Sequence, residues 1–433
     1  MCFEPTSTHT KYMMHYNQPT STYTVSKSMP ASPWLSQHIT PAAFSIIVEI
    51  LVFPTPKKLH LGAFIFSGQL SQIWRHPTLG RAHELLNVDY FIEYAQLAEA
   101  AKFDTLFLAD GASFPRGPLA KHFWSVSTFE PVTLFSAIAA RTERIGLAYT
   151  ASVSDNEPTH GPVSRNLGVP VEEVTSSEAR YTRARKFLEA VETLFDSFED
   201  DSLVRDRASG VYADLEKIHP PNIDDGLFKI DQPLRVERPV QGYPGIEFGG
   251  SSADFIYAAN YSIKNGQKTF RALQDAVRAA GRNPGHLVIL TGVAVAVQNL
   301  NIDFGDVNID SPFPDIYGEG FLKGRAAAIA SFARANNLTI RQTAERCSIS
   351  LGHRPLVNTT QSISDYFQEW LEQEATDGFA VIQPRLINGL KDFTEHIVPE
   401  LTRRGLFREE SEGKTLRDNL GVPRPENRYV LKK

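Results

Sequence analysis

Asp110 closes the run Phe103–Asp110 (FDTLFLAD), a short apolar stretch without alternation that ends on a carboxylate. A strand covered on both faces reads this way, and its polar residue falls where it leaves the sheet. Asp110 is therefore expected at a strand's C-terminal end, where the loops of a strand-helix barrel build the active site. Thr150 and Ser152 stand likewise at the end of the run beginning at Ile145. Gly249-Gly250-Ser251-Ser252 follows another apolar run. Two glycines and two hydroxyls after a strand can offer N–H and O–H donors to a phosphate. The same residues also make a plain turn, and Asp110 has the alternative role of helix cap or loop anchor. His160, in Asn156-Glu157-Pro158-Thr159-His160, is the catalytic candidate as an acid or base, although a lone loop histidine is usually neither.

The elements needed to hold these residues are legible around them. Leu59–Phe66 reads as a first strand, and a helix capped by Asp89 presents Phe91, Ala95, Leu97, Ala98 and Ala101 on one side. The strand to Asp110 follows. Pro131 then starts a second helix, with Glu130 at its entrance and Leu134, Phe135, Ile138 and Ala139 on its buried face. Ile145–Thr150 is the third strand. Strand, helix, strand at this spacing implies parallel crossovers and an α/β fold. Further strands are expected at Val169–Thr175, Gly245–Gly249, Phe255–Ala259, Leu287–Val297 and Gly378–Gln383, making eight. Eight strands point to a (β/α)8 TIM barrel. Residues 196–240, poor in core periodicity and rich in proline, read as an excursion between the fourth and fifth strands.

Composition narrows the function classes. The 433 residues are 42% hydrophobic and 22% charged, with a formal net charge of -6, so nothing draws the chain to nucleic acid or to an anionic membrane. Cys2 and Cys347 are too few for a disulfide framework or a thiolate metal site, which suits a reducing, cytoplasmic setting. No metal site is expected. Residues 1–56 lack periodicity and read as a poorly packed extension, leaving residues 57–433 as the barrel. Within the extension, Ala42–Phe53 is apolar but interrupted by Glu49, and it falls short of the roughly 20 residues that span a bilayer. Acidic residues are sparse before Glu49, as in a mitochondrial presequence, but no arginine precedes Arg75.

Taken in order, several of these pieces resemble one family. Leu61-Gly62-Ala63-Phe64, Trp74-Arg75-His76-Pro77, Lys102-Phe103-Asp104 to Asp110, Phe129-Glu130-Pro131 and Thr142 to Leu147 are similar to the flavin-dependent monooxygenases of the nitrilotriacetate and dibenzothiophene-sulfone type, in the bacterial luciferase-like superfamily. The similarity continues through Asn156-Glu157-Pro158, Arg180-Tyr181, Asp200 to Gly210, Gly250-Ser251-Ser252, Gly352-His353-Arg354, Asp377-Gly378-Phe379 and Pro399 to Pro425. The resemblance implies a barrel that binds reduced FMN supplied by a separate NAD(P)H:flavin reductase. With O2, such an enzyme oxygenates a small-molecule substrate, and a homo-oligomer is the common assembly. By the same resemblance, Asp110, Thr150 and Ser152 are flavin contacts, Tyr181 and Ser251 lie on the phosphate side, and Ser252 assists.

The chain also departs from that pattern. Only GPVSRNLGVP stands where the family carries a helix before its fourth strand, Glu172-Glu173 replaces Trp-Asn, and Ser177 replaces a histidine. The helix expected after Ser252 is absent, and the chain shortens again near Val297 to Asp315. Some outer helices are therefore expected to be shortened or missing. Beside the monooxygenase, these departures leave two alternatives: a catalytically impaired barrel remnant, acting as a binding protein or without function, and a flavin- or deazaflavin-linked dehydrogenase.

Overall fold

Both faces of β1 (His60–Ile65) are covered, so five of its six residues are buried. In the computed structural model the described residues are 57–65, 86–109, 127–150, 177–245, 252–297, 333–334, 336–339, 342, 353–383 and 386–431. All belong to one compact unit, Pro56–Lys433. The expected extension at residues 1–56 lies outside them, as do the strand at Val169–Thr175 and the strand at Gly245–Gly249 beyond Gly245.

The main-sheet elements in chain order are β1, α1 (Val88–Ala100), β2 (Thr105–Leu108), α2 (Pro131–Ala139), β3 (Gly146–Tyr149) and α3 (Ser177–Phe195). A small antiparallel hairpin, β4 (Ile223–Asp224) with β5 (Lys229–Ile230), interrupts the series. The series resumes with β6 (Phe255–Ala258), α4 (Ile263–Ala279), β7 (Val288–Val297), β8 (Arg354–Asn358), α5 (Thr360–Glu372) and β9 (Gly378–Ile382). Helix α6 (Leu386–Asp392) runs through a π turn at Phe393–Ile397 into α7 (Val398–Arg403), and α8 (Leu416–Leu420) follows.

The main sheet has the order β3-β2-β1-β9-β7-β6, and every pair in it is parallel. The first strand pairs with the last, with Gly62 opposite Ala380, as in a barrel sheet, and among the described residues the path runs from β3 to β6. This is the expected α/β barrel. Sequence reading missed β8. Val293 and Ala294 of β7 pair with both β8 and β9, so β8 lies on the β7 edge that β6 occupies lower down.

Strand parity sorts the side chains into two layers. Leu61, Ala63, Ile65, Leu106, Leu108, Phe379 and Val381 face outward, into one core with the buried faces of α1, α2, α5 and α6. Phe64, Phe107, Phe255, Val288, Leu290, Ala294, Ala380 and Ile382 face inward and fill the lumen. Two helix entrances show their causes. Glu130 accepts N–H bonds from Val132 and Thr133 at 3.0 and 2.8 Å, so the acidic entrance is a true cap. Asp89, in contrast, does not cap α1: Asn87 does, through a 3.0 Å bond from the Asp89 N–H to Asn87 Oδ1.

The C-terminal segment seals the N-terminal end of the sheet. Leu416, Leu420 and Val422 pack beneath Phe255 and Val288. Buried Arg408 pairs with Asp104 at 2.8 Å and buried Arg417 with Asp254 at 2.5 Å. Asp104 and Asp377 each accept a 2.8 Å bond from a neighbouring strand's N–H, from Leu61 and Ile289 respectively. In the excursion, buried Asp196 receives Arg238 Nε at 2.9 Å, Tyr243 OH at 2.6 Å and Arg428 Nε at 3.2 Å. Burial and this carboxylate push the Tyr243 phenol up to about 12. No helix among the described residues is long and apolar enough to cross a membrane.

Candidate active site

The lumen has an aromatic floor. Phe64 and Phe107 stand 4.7 Å apart between ring centroids, Phe107 and Tyr257 4.3 Å, and Phe255 and Tyr257 5.7 Å, all tilted or edge-on. Two glycines make room for polar rings in this layer. A Cβ on Gly62 would lie 3.2 Å from the Tyr257 hydroxyl, and a Cβ on Gly292 would collide with the His353 imidazole. His353, 8% exposed, enters the lumen just before β8, its ring 6.4 Å from that of Phe64.

Small residues stand in and just above this layer: Ala148 is opposite Phe107 and Ala294 opposite Ile382, while Ala109 and Thr150 follow β2 and β3. The β2–β3 side is the open one, with Ala109, Ala148 and Thr150 half-buried while Leu290, Ala380 and Ile382 opposite are buried. The packed rings and the C-terminal segment close the lumen from below.

The site residues expected from sequence distribute unevenly. Asp110, Ser152, His160 and Ser251 lie outside the described residues. Thr150 is at the open side, its N–H continuing the strand ladder to Leu108 O at 3.2 Å. Tyr181, in the second turn of α3, is half exposed. The structure does not bring Ser252 to Thr150: Ser252 precedes β6 by three residues, at the sheet's N-terminal end, two residues from Asp254 and its pair with Arg417. In a parallel sheet that is the end opposite Thr150. The missing helix after Ser252 explains this placement, because β6 starts at once. Arg354 donates from Nη1 to Tyr261 O at 2.8 Å and covers the Tyr366 ring at 5.4 Å.

Sequence reading missed Tyr257 and His353 as lumen residues. Gly292, a glycine in the middle of the apolar run VILTGVAVAV, carried the available signal, since a strand-interior glycine often marks a close approach.

A parallel sheet whose first strand pairs with its last, with an aromatic layer on its inner face, is the sheet of an α/β barrel. Sequence comparison is more specific. The luciferase-like monooxygenase profile matches residues 69–163. The chain is 32% identical to N-acetyl-S-(2-succino)cysteine monooxygenase of Bacillus subtilis (strain 168), over 86% of this chain and 99% of that protein. It is 33% identical to nitrilotriacetate monooxygenase component A of Aminobacter aminovorans, over 86% and 98% respectively. The crystal structure of DmoA from Hyphomicrobium sulfonivorans has the same fold, with a TM-score of 0.72 at 21% identity, covering 87% of this chain and 96% of that one. The chain belongs to the luciferase-like monooxygenase family.

Proposed function

We propose that this monooxygenase is the oxygenase component of a two-component system, taking reduced FMN from a separate NAD(P)H:flavin reductase and using O2 to oxygenate a small organic substrate. The observation that carries this reading is the near full-length similarity to curated monooxygenases, one of them described as a component A. When bound, reduced FMN supplies the electrons that activate O2, so that one oxygen atom enters the substrate and the other leaves as water.

The protein's part is to bind, orient and keep dry. Thr150, at the open side, contributes its hydroxyl to the flavin, and by the family resemblance Asp110 and Ser152 are further flavin contacts. Tyr181 holds the phosphate side. Ser252 lies at the opposite end of the sheet, and neither it nor its sequence neighbour Ser251 is assigned a flavin contact. The Phe64, Phe107 and Tyr257 floor gives the ring system an apolar face and denies water a path from beneath.

The test supplies the purified chain with FMN, NADH, O2 and an unrelated flavin reductase, and follows oxygen uptake and product across a panel of small organic acids, thioethers and sulfones. Substrate-dependent uptake with an oxygenated product is expected. Hydrogen peroxide as the sole product across the panel would overturn the reading.

A further inference from the structure

Half of the large apolar side chains exposed among the described residues, seven of fourteen, fall within residues 204–240. Scattered exposure needs no explanation, but a concentration of it marks a face that meets something. Hydrogen bonds gather five of the seven into one strip. The N–H groups of Arg205 and Asp206 donate to Tyr212 O at 3.0 Å and to Val211 O at 2.8 Å, which sets Val204 beside Val211 and Tyr212. The Asp214 N–H donates to Ser202 O at 2.8 Å and brings Leu215 alongside. Arg205 Nη2 meets Glu237 Oε2 at 2.7 Å and adds Val236.

The strip is held in place from within. Asp206 closes its turn, accepting from the Ala208 N–H at 2.9 Å through the carboxylate and from the Gly210 N–H at 3.0 Å through the backbone. Arg205 takes the left-handed backbone at φ 52°, which is uncommon for a residue other than glycine. Next to Glu237, Arg238 is anchored on buried Asp196. A surface fixed in this way loses little freedom on association.

We propose that this strip is the face through which two copies of the chain associate about a two-fold axis. Tyr212 and Leu215 are its most exposed members, at 65% and 77%. The open parts of the five side chains amount to on the order of 450 Å², which matches the apolar share of one side of a standard interface, about 800 Å² and a little over half apolar. Charge favours a second copy over a partner of one sign. Arg205 and Arg207 stand exposed with Glu216 and Glu237 around the strip, two of each sign. A two-fold axis sets a surface against itself, so a rim of one sign would repel its copy, whereas a balanced rim pairs with it. Association requires neither flavin nor substrate.

Sedimentation velocity of the full chain, across a dilution series reaching high micromolar concentration, should show an equilibrium between monomer and dimer. Leu215→Lys and Val236→Lys, on two separate segments of the strip, should each raise the dissociation constant at least about tenfold, as expected for disrupting an energetically central contact. Val132→Lys, at an exposed apolar position on α2, should leave it unchanged. In the wild type, the amides of residues 203–216 should exchange hydrogen more slowly at the associating concentration than after dilution, a reading that needs no variant. A chain that stays monomeric throughout would overturn the proposal and leave the strip to a different partner. A dimer that survives in cooperatively folded Leu215→Lys and Val236→Lys would also overturn it, as would exchange over residues 203–216 that ignores dilution.

Discussion

Gly292 and His353 share one volume, and neither is intelligible without the other. Gly292→Ala should drive the imidazole out of its place and destabilise the fold by about 1–3 kcal/mol, the usual cost of overpacking. In a His353→Ala background the same change should cost much less. Urea denaturation of the two single variants and the double variant measures this, and strict additivity would mean the two residues do not contact. At this scale the sequence was only partly readable. Glu130 could be placed at a helix entrance from Pro131 beside it, because capping is local. The choice between Asn87 and Asp89 could not, since both are good caps and the chain's approach to the helix decides. His353 was visible only within Gly352-His353-Arg354, because its role depends on a glycine 61 residues earlier.

The elements that sequence located best are the apolar runs. Thr105–Leu108 and Gly378–Ile382 are buried throughout, and each lies within the expected boundaries. Strand β8 escaped because Arg354–Asn358 is short, contains a proline and is polar at both ends, and only pairing with the upper half of β7 makes it a strand. The N-terminal ends of the strands carry a pattern of their own. Asp104, Asp254 and Asp377 immediately precede β2, β6 and β9, and each pairs with a cation: Arg408, Arg417 and Lys57 respectively. Asp254→Ala would leave Arg417 buried without this partner and should cost about 3–5 kcal/mol in urea unfolding. A loss below about 1 kcal/mol would mean that the C-terminal segment does not depend on the pair. On α7, hydrogen bonds from Arg403 and then Arg404 draw the Glu400 carboxyl from 4.5 down to about 2. A carboxyl depressed in the folded state adds stability above its unfolded value, and that stability is lost as pH falls through the folded value. The wild type should therefore melt above Glu400→Gln at neutral pH, with the gap closing between pH 4.5 and about 2. A gap that stayed constant over that range would refute the assignment.

For the whole molecule, alternation of strands and helices was enough to read a barrel, because each strand-helix-strand unit is local and its period is written in the residues. The closure was not readable. Arg417 meets Asp254 across 163 residues and Arg428 meets Asp196 across 232, and no local pattern announces such pairs. Of the expected site residues, Thr150 stands at a strand's C-terminal end as read from sequence, whereas Ser252 does not. Deleting a crossover moves a residue such as Ser252 from one end of a strand to the other without changing its neighbours in sequence. The central claim is that reduced flavin binds at the open β2–β3 side. Anaerobic titration of reduced FMN into the full chain and into Thr150→Ala, read by flavin absorbance, tests it most directly. Saturable binding by the wild type, weakened about tenfold or more in the variant as expected for loss of a buried polar contact, is the predicted result. A cooperatively folded wild type that binds no reduced FMN, or a Thr150→Ala variant that binds it as tightly as the wild type, would contradict the account.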